Sequence, residues 1–381
     1  MKYTFAVIAA ALSAMLSPTV LSAQFSDVTD IDDLVLIYVG NRDRTEWTAD
    51  KLKPYVVHTY EDGSRSWMFD GFLMIDFLTY NKAGTRVSLG EYNGPGADRQ
   101  DWLNYLDAQL GTSDNRSCRA LDGLIGSYIP ELGSPSHRHK VVFSLPIPVS
   151  SFTEWGELDG RKLDFNNIDD KLAAMRWYVD VLLEKWKEAG FKNLDLDGIY
   201  WVKESFDQPT VDLARGLNGH IRSLGLKVYW VPYSQGKARA DWRKNGIDVA
   251  YMQPNYSVWP HATIDQLDSV IEFAKSHGMG LEVEFDGYSF YRDMKGDSLV
   301  RTLPRDCCLY DVSPEFHQRF KDYVDRYERE KVFDTLPMAY YTGYQAVYDF
   351  ENSPCERDRR LLDRLAAIIN RRHIKSGWIK E

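Results

Sequence analysis

Short apolar runs alternate with longer stretches of helical period from residue 33 almost to the end of the chain. The runs are rich in β-branched and aromatic residues, as buried strands are, and the longer stretches repeat apolar residues every three or four positions, as amphipathic helices do. The predicted strands are 33–40, 69–78, 140–149, 194–202, 227–233, 248–253, 280–285 and 337–341. The pattern therefore predicts eight strand-then-helix units.

The helical stretches support the same order. The clearest predicted helices are 171–189, 211–224, 264–277, 314–330 and 357–371. Three of them end at a glycine just before the next strand, at Gly190, Gly225 and Gly278, which is typical of a helix C-terminus. A strict β-then-α order indicates a parallel sheet, because each crossover helix returns the chain in the same direction.

Eight such units predict an α/β fold that closes into a single (β/α)8 TIM barrel over residues 24–381. The alternative is an open doubly wound sheet, which normally carries a glycine-rich phosphate turn after its first strand. Residues 40–43, Gly-Asn-Arg-Asp, do not form such a turn. No internal repeat, low-complexity tract or long linker divides the chain, so a single domain is expected.

The N-terminal segment is typical of a secretory signal. Lys2 is followed by an apolar run at residues 5–16 and by the small-residue triplet Leu21-Ser22-Ala23. We therefore expect residues 1–23 to be a signal peptide cleaved after Ala23, and the protein to be exported to the periplasm or beyond the cell. The run is too short to span a bilayer and no second one follows, so membrane insertion is not expected after cleavage.

Charge and cysteine content narrow the possible partners. Lys2 is the one charged residue of the first 23, so the remaining chain carries a net charge of −11 where the whole chain carries −10. Without a basic cluster, nucleic acid and anionic membranes are poor partners. Of the four cysteines, Cys355 is expected to pair with Cys307 or Cys308, because both segments follow late strands; Cys118 is the fourth.

No cofactor or metal site is predicted. The cysteines do not have zinc-ligand spacing, and the chain contains no HExxH, P-loop or GxSxG motif. His137 and His139 form an HxH pair, but they precede the third strand and should lie at the face of the barrel opposite the reactive one. These two histidines are therefore not expected to bind a metal.

Two glutamates stand where chemistry is expected in such a barrel. Reactive groups cluster where strands end and βα loops begin. The fourth strand leads to Glu204 and the seventh to Glu284. Cleavage of a glycosidic bond needs one carboxyl to protonate the leaving oxygen and another to attack or stabilise the anomeric centre, so this pair is the predicted catalytic pair.

Other acids near these strand ends receive a structural interpretation. Glu282 and Asp286 share the side-chain parity of Glu284 but lie about 6.6 Å deeper and about as far beyond it by strand rise. Asp195, Asp197 and Glu282 are interpreted mainly as structural. Lys203, next to Glu204, is a possible ion-pair partner for it.

Aromatic and neutral polar residues at the same strand ends suggest a sugar ligand. Pyranose faces stack on aromatic rings, and amide groups read hydroxyls. The predicted substrate-binding residues are Tyr38, Trp201, Tyr233, Gln253, Asn255, Tyr256, Trp259, Asp286, Tyr288 and Tyr341, with Tyr344 as a further aromatic candidate.

At these strands the chain resembles a bacterial secreted family known as domain of unknown function 4855. The resemblance rests on LIYVG (36–40), WMFDGFL (67–73), HKVVFSLP (139–146), GIYWVKE (198–204), WVPY (230–233), QPNY (253–256) and GMGLEVEFD (278–286). The family pattern commonly has Asn where this chain has Lys203, which leaves the role of that position open.

A broader similarity is to retaining glycosidases whose acid/base ends strand four and whose nucleophile ends strand seven. It implies that Glu204 is the acid/base and Glu284 the nucleophile. Asp197-Gly198 with Glu204 also resembles the chitinase strand-four signature. Tyr200 and Val202 stand where that signature has further acids, which disfavours substrate-assisted chitinase chemistry.

The expected function is hydrolysis of a polysaccharide or oligosaccharide by a secreted, retaining glycoside hydrolase. An inverting enzyme with the same pair is an alternative, as is a non-catalytic glycan-binding barrel. Deacetylation on the same barrel is less favoured, since it would usually require a metal cluster. The sequence leaves open the sugar, the linkage, internal or terminal cutting, and the oligomeric state.

Overall fold

Eight parallel strands close into a barrel in a computed structural model that describes residues 29–90, 94–150, 152–259, 261–285, 308, 311 and 314–380. The strands are β1 (Asp33–Tyr38), β2 (Gly71–Ile75), β3 (His139–Leu145), β4 (Leu194–Trp201), β5 (Lys227–Trp230), β6 (Val249–Met252), β7 (Gly280–Glu284) and β8 (Met338–Tyr341). Each strand pairs with the next, and β8 pairs back with β1 through Asp33 and Met338. The predicted barrel is confirmed, and the open-sheet alternative is wrong.

Helices cover the outside of the barrel. They are α1 (Ala49–Val56), α2 (Arg99–Leu110), α3 (Ser117–Leu132), α4 (Ile168–Ala189), α5 (Gln208–Ser223), α6 (Ile264–His277), α7 (Pro314–Arg329), α8 (Val332–Thr335), α9 (Ala346–Glu351) and α10 (Glu356–Ser376). The five helices predicted from periodicity correspond to α4, α5, α6, α7 and α10. Gly190 and Gly278 cap α4 and α6 in the left-handed conformation, as predicted (φ 59° and 60°).

The strand register decides which side chains share a layer at the top of the barrel. Glu284 lies beside Tyr341 of β8, and Glu282 beside Ala339. Residues paired in a parallel sheet point to the same face, so Glu282, Glu284 and Tyr341 belong to one face of the sheet. Lower down, Gly280 leaves room for the Tyr251 ring, since a Cβ there would lie 2.6 Å from it. The carboxylates of β7 thus stand above an aromatic layer.

The face of the barrel at the strand N-termini is closed by a buried charge network. Arg372 of α10 donates to the Asp33 carboxylate (Nε to Oδ1, 2.9 Å) and to the carbonyls of Asp32, Phe333 and Leu336. Tyr340 also donates to Asp33 (2.6 Å). Burial acts to raise the pKa of Asp33, but the charge of Arg372 and its other partners outweigh it and hold that pKa below its ordinary value. The network ties the last helix to the first strand.

Asp195 and Asp197 of β4 are ion-pair members. Asp195 lies 3.3 Å from both Arg138 and Lys140, and Asp197 lies 2.9 Å from Lys227. These contacts agree with their structural interpretation.

A disulfide joins Cys308 to Cys355, one of the two predicted pairings. Cys355 is the residue that precedes the first turn of α10, so the bond links the segment before α7 to the last helix. Cys118 is buried and unpaired. The predicted signal segment, residues 1–23, lies outside the described residues. Among those described, no helix is both long and apolar enough to cross a membrane.

Candidate active site

Glu204 lies three residues beyond the end of β4 and is half-buried. The turn that carries it is held by Trp230 of β5, whose indole donates to the Lys203 carbonyl (2.7 Å). The Lys203 ammonium reaches Asp207 (3.3 Å) and Thr210 (3.2 Å) at the start of α5. Lys203 therefore forms an ion pair with Asp207. The sequence had suggested Glu204 as its partner.

Glu284, the last residue of β7, is completely buried and accepts three hydrogen bonds. Its Oε1 accepts from the Asn255 amide (2.6 Å), and its Oε2 from the Ser257 amide (3.0 Å) and the Tyr323 hydroxyl (2.5 Å). Burial raises the pKa of Glu284 to about 7, although these donors oppose the rise. The three donors stabilise the ionised carboxylate, so the pKa of Glu284 is lower than burial alone would make it.

The loop after β6 is shaped to supply two of those donors. Asn255 adopts a left-handed conformation (φ 59°), which turns the amides of Asn255 and Ser257 toward the same carboxylate. The outer helix α7 holds this loop from behind, because Arg319 donates to the carbonyls of Tyr256 and Trp259. Loop, outer helix and β7 are thus fixed to one another at Glu284.

Glu282, two residues deeper on β7, is completely buried, and neither carboxylate oxygen has a hydrogen-bond partner of ordinary geometry within the described part of the chain. Burial raises the pKa of Glu282 well above its usual value; the charges of Glu284 and Glu204 raise it further, and the Gln253 side chain opposes them. Glu204 and the acids of β7 therefore converge on one site. Among the residues that the structure describes, Glu282 has no ion-pair partner that would give it a structural role.

Aromatic side chains line the rim at β8, β1 and the loop that follows β1. Buried Tyr38 meets half-buried Tyr341 edge to face, with ring centroids 5.8 Å apart. Arg44 lies over Tyr38 (4.6 Å) and Tyr344 (5.3 Å), and it is held by two hydrogen bonds of 2.9 Å to Asp76. Sequence patterns did not single out Arg44 or Asp76. Arg44 lies in a loop without a motif, and Asp76 fell inside the predicted strand 69–78 but follows the end of β2 in the structure.

A second aromatic pair lies on the rim at β5 and β6. Tyr233 and Trp259 are half-buried, with ring centroids 6.4 Å apart, and Trp259 stacks on exposed His261. Gln253, also half-buried, accepts a hydrogen bond from the Asn255 side chain (2.9 Å). These side chains can present rings and an amide to a ligand at the barrel mouth.

Three predicted substrate contacts lie in the protein interior instead. Trp201 is fully buried and donates to Asn218 of α5 (2.9 Å), because strand alternation turns it toward the helix layer. Tyr256 donates to Asp322 of α7 (2.7 Å), and the buried Asn255 accepts from Ser234 (2.9 Å). These residues shape the β4 and β6 ends, and that they contact sugar stays a prediction. Asp286 and Tyr288 lie outside the described residues.

Two groups of side chains in the described ranges have the spacing of metal ligands. One contains Cys308 and Cys355, which are joined to each other, with Asp358. The other, Asp32, Asp70 and His373, belongs to the charge network at the opposite face of the barrel. Neither includes Glu204, Glu282 or Glu284.

Comparison with known proteins gives one family match. The model of the family described as domain of unknown function DUF4855 matches residues 33–367. A search of curated proteins gives no significant match.

Similar solved structures have low identity and low TM-scores. The group IV chitinase of Ostrinia furnacalis is 11% identical, with 89% of this chain and 100% of that chain covered, at a TM-score of 0.44. The intracellular xylanase TsXylA of Thermoanaerobacterium saccharolyticum is 11% identical, with 85% and 88% covered, at 0.40. A GH10 xylanase with a bacterial Ig-like domain from termite gut is 12% identical, with 91% and 77% covered, at 0.41. The assignment of the barrel fold therefore rests on the observed strand pairing and not on these similarities.

Proposed function

The chain belongs to the DUF4855 family, and from the site at the mouth of its barrel we propose that it is a glycoside hydrolase. One observation carries the proposal: Glu204 beyond the β4 end and Glu284 at the β7 end both lie close enough to Glu282 for their charges to act on it. Two carboxyls held on different strands of one rigid frame are what glycosidic bond cleavage requires. The half-buried rim aromatics supply surfaces for sugar rings.

The proposed reaction follows two steps. Glu204 gives its proton to the glycosidic oxygen while a Glu284 carboxylate oxygen attacks the anomeric carbon, so the bond to the leaving sugar breaks as a glycosyl ester forms. Glu204 then takes a proton from water, whose oxygen displaces Glu284 from the anomeric carbon. The donors around Glu284 favour its ionised form, and Oε1 accepts only one of the three bonds, which leaves it a lone pair for attack.

The substrate class we propose is a polysaccharide or oligosaccharide met outside the cytoplasm. Aromatic pairs on two parts of the rim suit a chain of several sugar units better than a single sugar. Export of the protein, which the N-terminal sequence suggests, would place it with such polymers.

A polysaccharide screen tests the proposal. Purified protein is incubated with plant, host and microbial polysaccharides, and release of reducing ends and product lengths are measured, with Glu284→Gln as the inactive control. The anomer of the first product, followed by NMR, distinguishes retention from inversion. Oligosaccharide binding without any release of reducing ends over long incubation would instead support a non-catalytic glycan-binding barrel.

Trp259 offers a separate test of the rim. We expect Trp259→Ala to raise KM about tenfold and to change kcat by less than about threefold, because an aromatic platform away from the bond being cut contributes to ground state and transition state alike. Tyr128→Ala on the outer helix α3 is the control and should leave both constants unchanged. A fall in kcat at constant KM would contradict a binding role.

A further inference from the structure

Glu282 differs from the other buried carboxylates of the described residues in that neither of its oxygens has a hydrogen-bond partner of ordinary geometry, although the Gln253 side chain lies near it. Its side chain is fully buried, and no donor among the described residues meets either oxygen with good geometry. A buried carboxyl without donors lowers the stability of the folded state. The same strand carries Glu284, whose three donors fully account for its burial. Glu282 is therefore held at a cost that packing does not explain.

The groups that face Glu282 determine its charge. Glu204 approaches from the β4 end, Glu284 stands above it on β7, and Tyr323 and Tyr327 lie behind it on α7, with the Tyr327 hydroxyl bonded to the Glu282 carbonyl (2.8 Å). The pKa values of both tyrosines are raised well above their usual value by burial, so both are neutral. None of the four groups carries a positive charge. The uncharged Gln253 side chain also lies near Glu282. Since Glu284 has three donors of ordinary geometry and Glu282 has none, the negative charge of the β7 pair settles on Glu284 and the proton on Glu282.

A protonated carboxyl within reach of the charge on Glu204 is useful at one moment of the proposed reaction. When Glu204 gives its proton to the leaving sugar, a negative charge appears on Glu204 in a site of low polarity. A neutral O–H group nearby can donate a hydrogen bond to that charge as it forms. An ionised neighbour would instead oppose it.

We propose that Glu282 is a positioning residue of this site, a carboxyl that stays protonated and supports the negative charge that forms on Glu204. The inference rests on the proposed function, because it concerns a step of that reaction. It also revises the sequence-based interpretation, which treated Glu282 as mainly structural.

The stability arm of the test compares wild type with two variants on one strand. Glu282→Met removes an unsatisfied carboxyl and fills a similar volume, so we expect its Tm to rise by about 2–4 °C. Glu284→Gln is the matched control and should lower the Tm, since it disturbs the three donors. A Glu282→Met protein less stable than wild type would overturn the inference, because Glu282 would then have a structural partner.

The pH dependence of stability tests whether Glu282 is protonated in the folded protein. A carboxyl whose folded pKa is raised binds more protons in the folded than in the unfolded state between its ordinary and its raised pKa, so its contribution to stability falls as pH rises through that range. The Tm gain of Glu282→Met over wild type should therefore increase from about pH 5 to about pH 8. A pH-independent difference would mean that Glu282 does not hold a proton.

The activity arm separates the hydrogen-bond donor from the charge. Glu282→Gln and Glu282→Met are both neutral, but only Gln keeps a donor. We expect kcat to fall less than about fivefold in Glu282→Gln and about 10²-fold in Glu282→Met. The alkaline limb of the kcat/KM profile should move to higher pH in Glu282→Met, because ionised Glu204 loses support. A purely structural residue would not move that limb.

The outcomes distinguish the two proposals. If wild type releases reducing ends and Glu282→Met matches it in kcat and pH profile, this inference fails and the proposed function stands. If both Glu282 variants lose activity as completely as Glu284→Gln, Glu282 reacts directly and the positioning role is wrong. If wild type cleaves no glycan, the proposed function fails, and with it the role at Glu204, while the stability arm still decides whether Glu282 holds a proton.

Discussion

Glu204→Gln is expected to lower kcat at least about 10³-fold on any polysaccharide that the protein hydrolyses. Gln has almost the shape of Glu but neither donates the proton that the leaving oxygen needs nor takes one from water. Because Glu204 is half-buried beyond the end of β4, the substitution should leave the Tm within about 2 °C of wild type. Initial rates and thermal unfolding, measured side by side, check both parts.

Activated substrates make this prediction specific to the acid step. An aryl glycoside with an acidic phenol leaves without protonation, so Glu204→Gln should still form the glycosyl ester from it, in a burst of phenol followed by slow turnover. Glu284→Gln should show no burst. Glu272→Gln on the exposed face of α6 serves as the control and should behave as wild type. Wild-type turnover of a natural polysaccharide by Glu204→Gln would refute the assignment.

Arg372→Ala is expected to cost about 3–5 kcal/mol of unfolding free energy. The guanidinium is almost fully buried and reaches the Asp33 carboxylate and three backbone carbonyls. Without it, an ionised carboxylate would remain buried with only part of its partners, and the carbonyls would lose their donors. Urea unfolding followed by tryptophan fluorescence measures the loss.

The neighbouring Arg371 gives a matched control. Its side chain is 64% exposed and pairs with Glu328 at 3.2 Å on the helix surface. Arg371→Ala should therefore change the unfolding free energy by less than about 1 kcal/mol. Equal losses in the two variants would mean that the buried contacts of Arg372 stabilise the protein no more than a surface ion pair does.

The barrel could be predicted from the sequence because each strand and helix leaves a local signal. Alternation of short apolar runs with helical periods gave all eight strands and five helices, and glycines marked helix ends at Gly190 and Gly278. The helices α1 and α3 are harder to recognise, since Pro54 and Pro130 interrupt their patterns. Local signals therefore predict the eight-stranded barrel better than they predict the helices between β1 and β3.

The site was predicted less completely, because its character depends on distant contacts. Glu204 and Glu284 follow from strand ends, but the donors that surround Glu284 come from the β6 loop and from Tyr323 on α7. Nothing local indicates that Glu282 would lack such donors. The contact of Trp201 with Asn218 in the helix layer was not foreseen, because a strand end alone does not say which face a side chain takes.

The bond between Arg372 and Asp33 joins residues 339 positions apart, and β1 pairs with a strand that begins at Met338. During synthesis the first strand therefore lacks its β8 neighbour and its Arg372 partner until residues 338–372 have been made. Contacts of such long range close slowly, which leaves a long interval in which the chain is not yet compact. If the protein is exported, as we propose, this delay favours a pathway that carries unfolded chains.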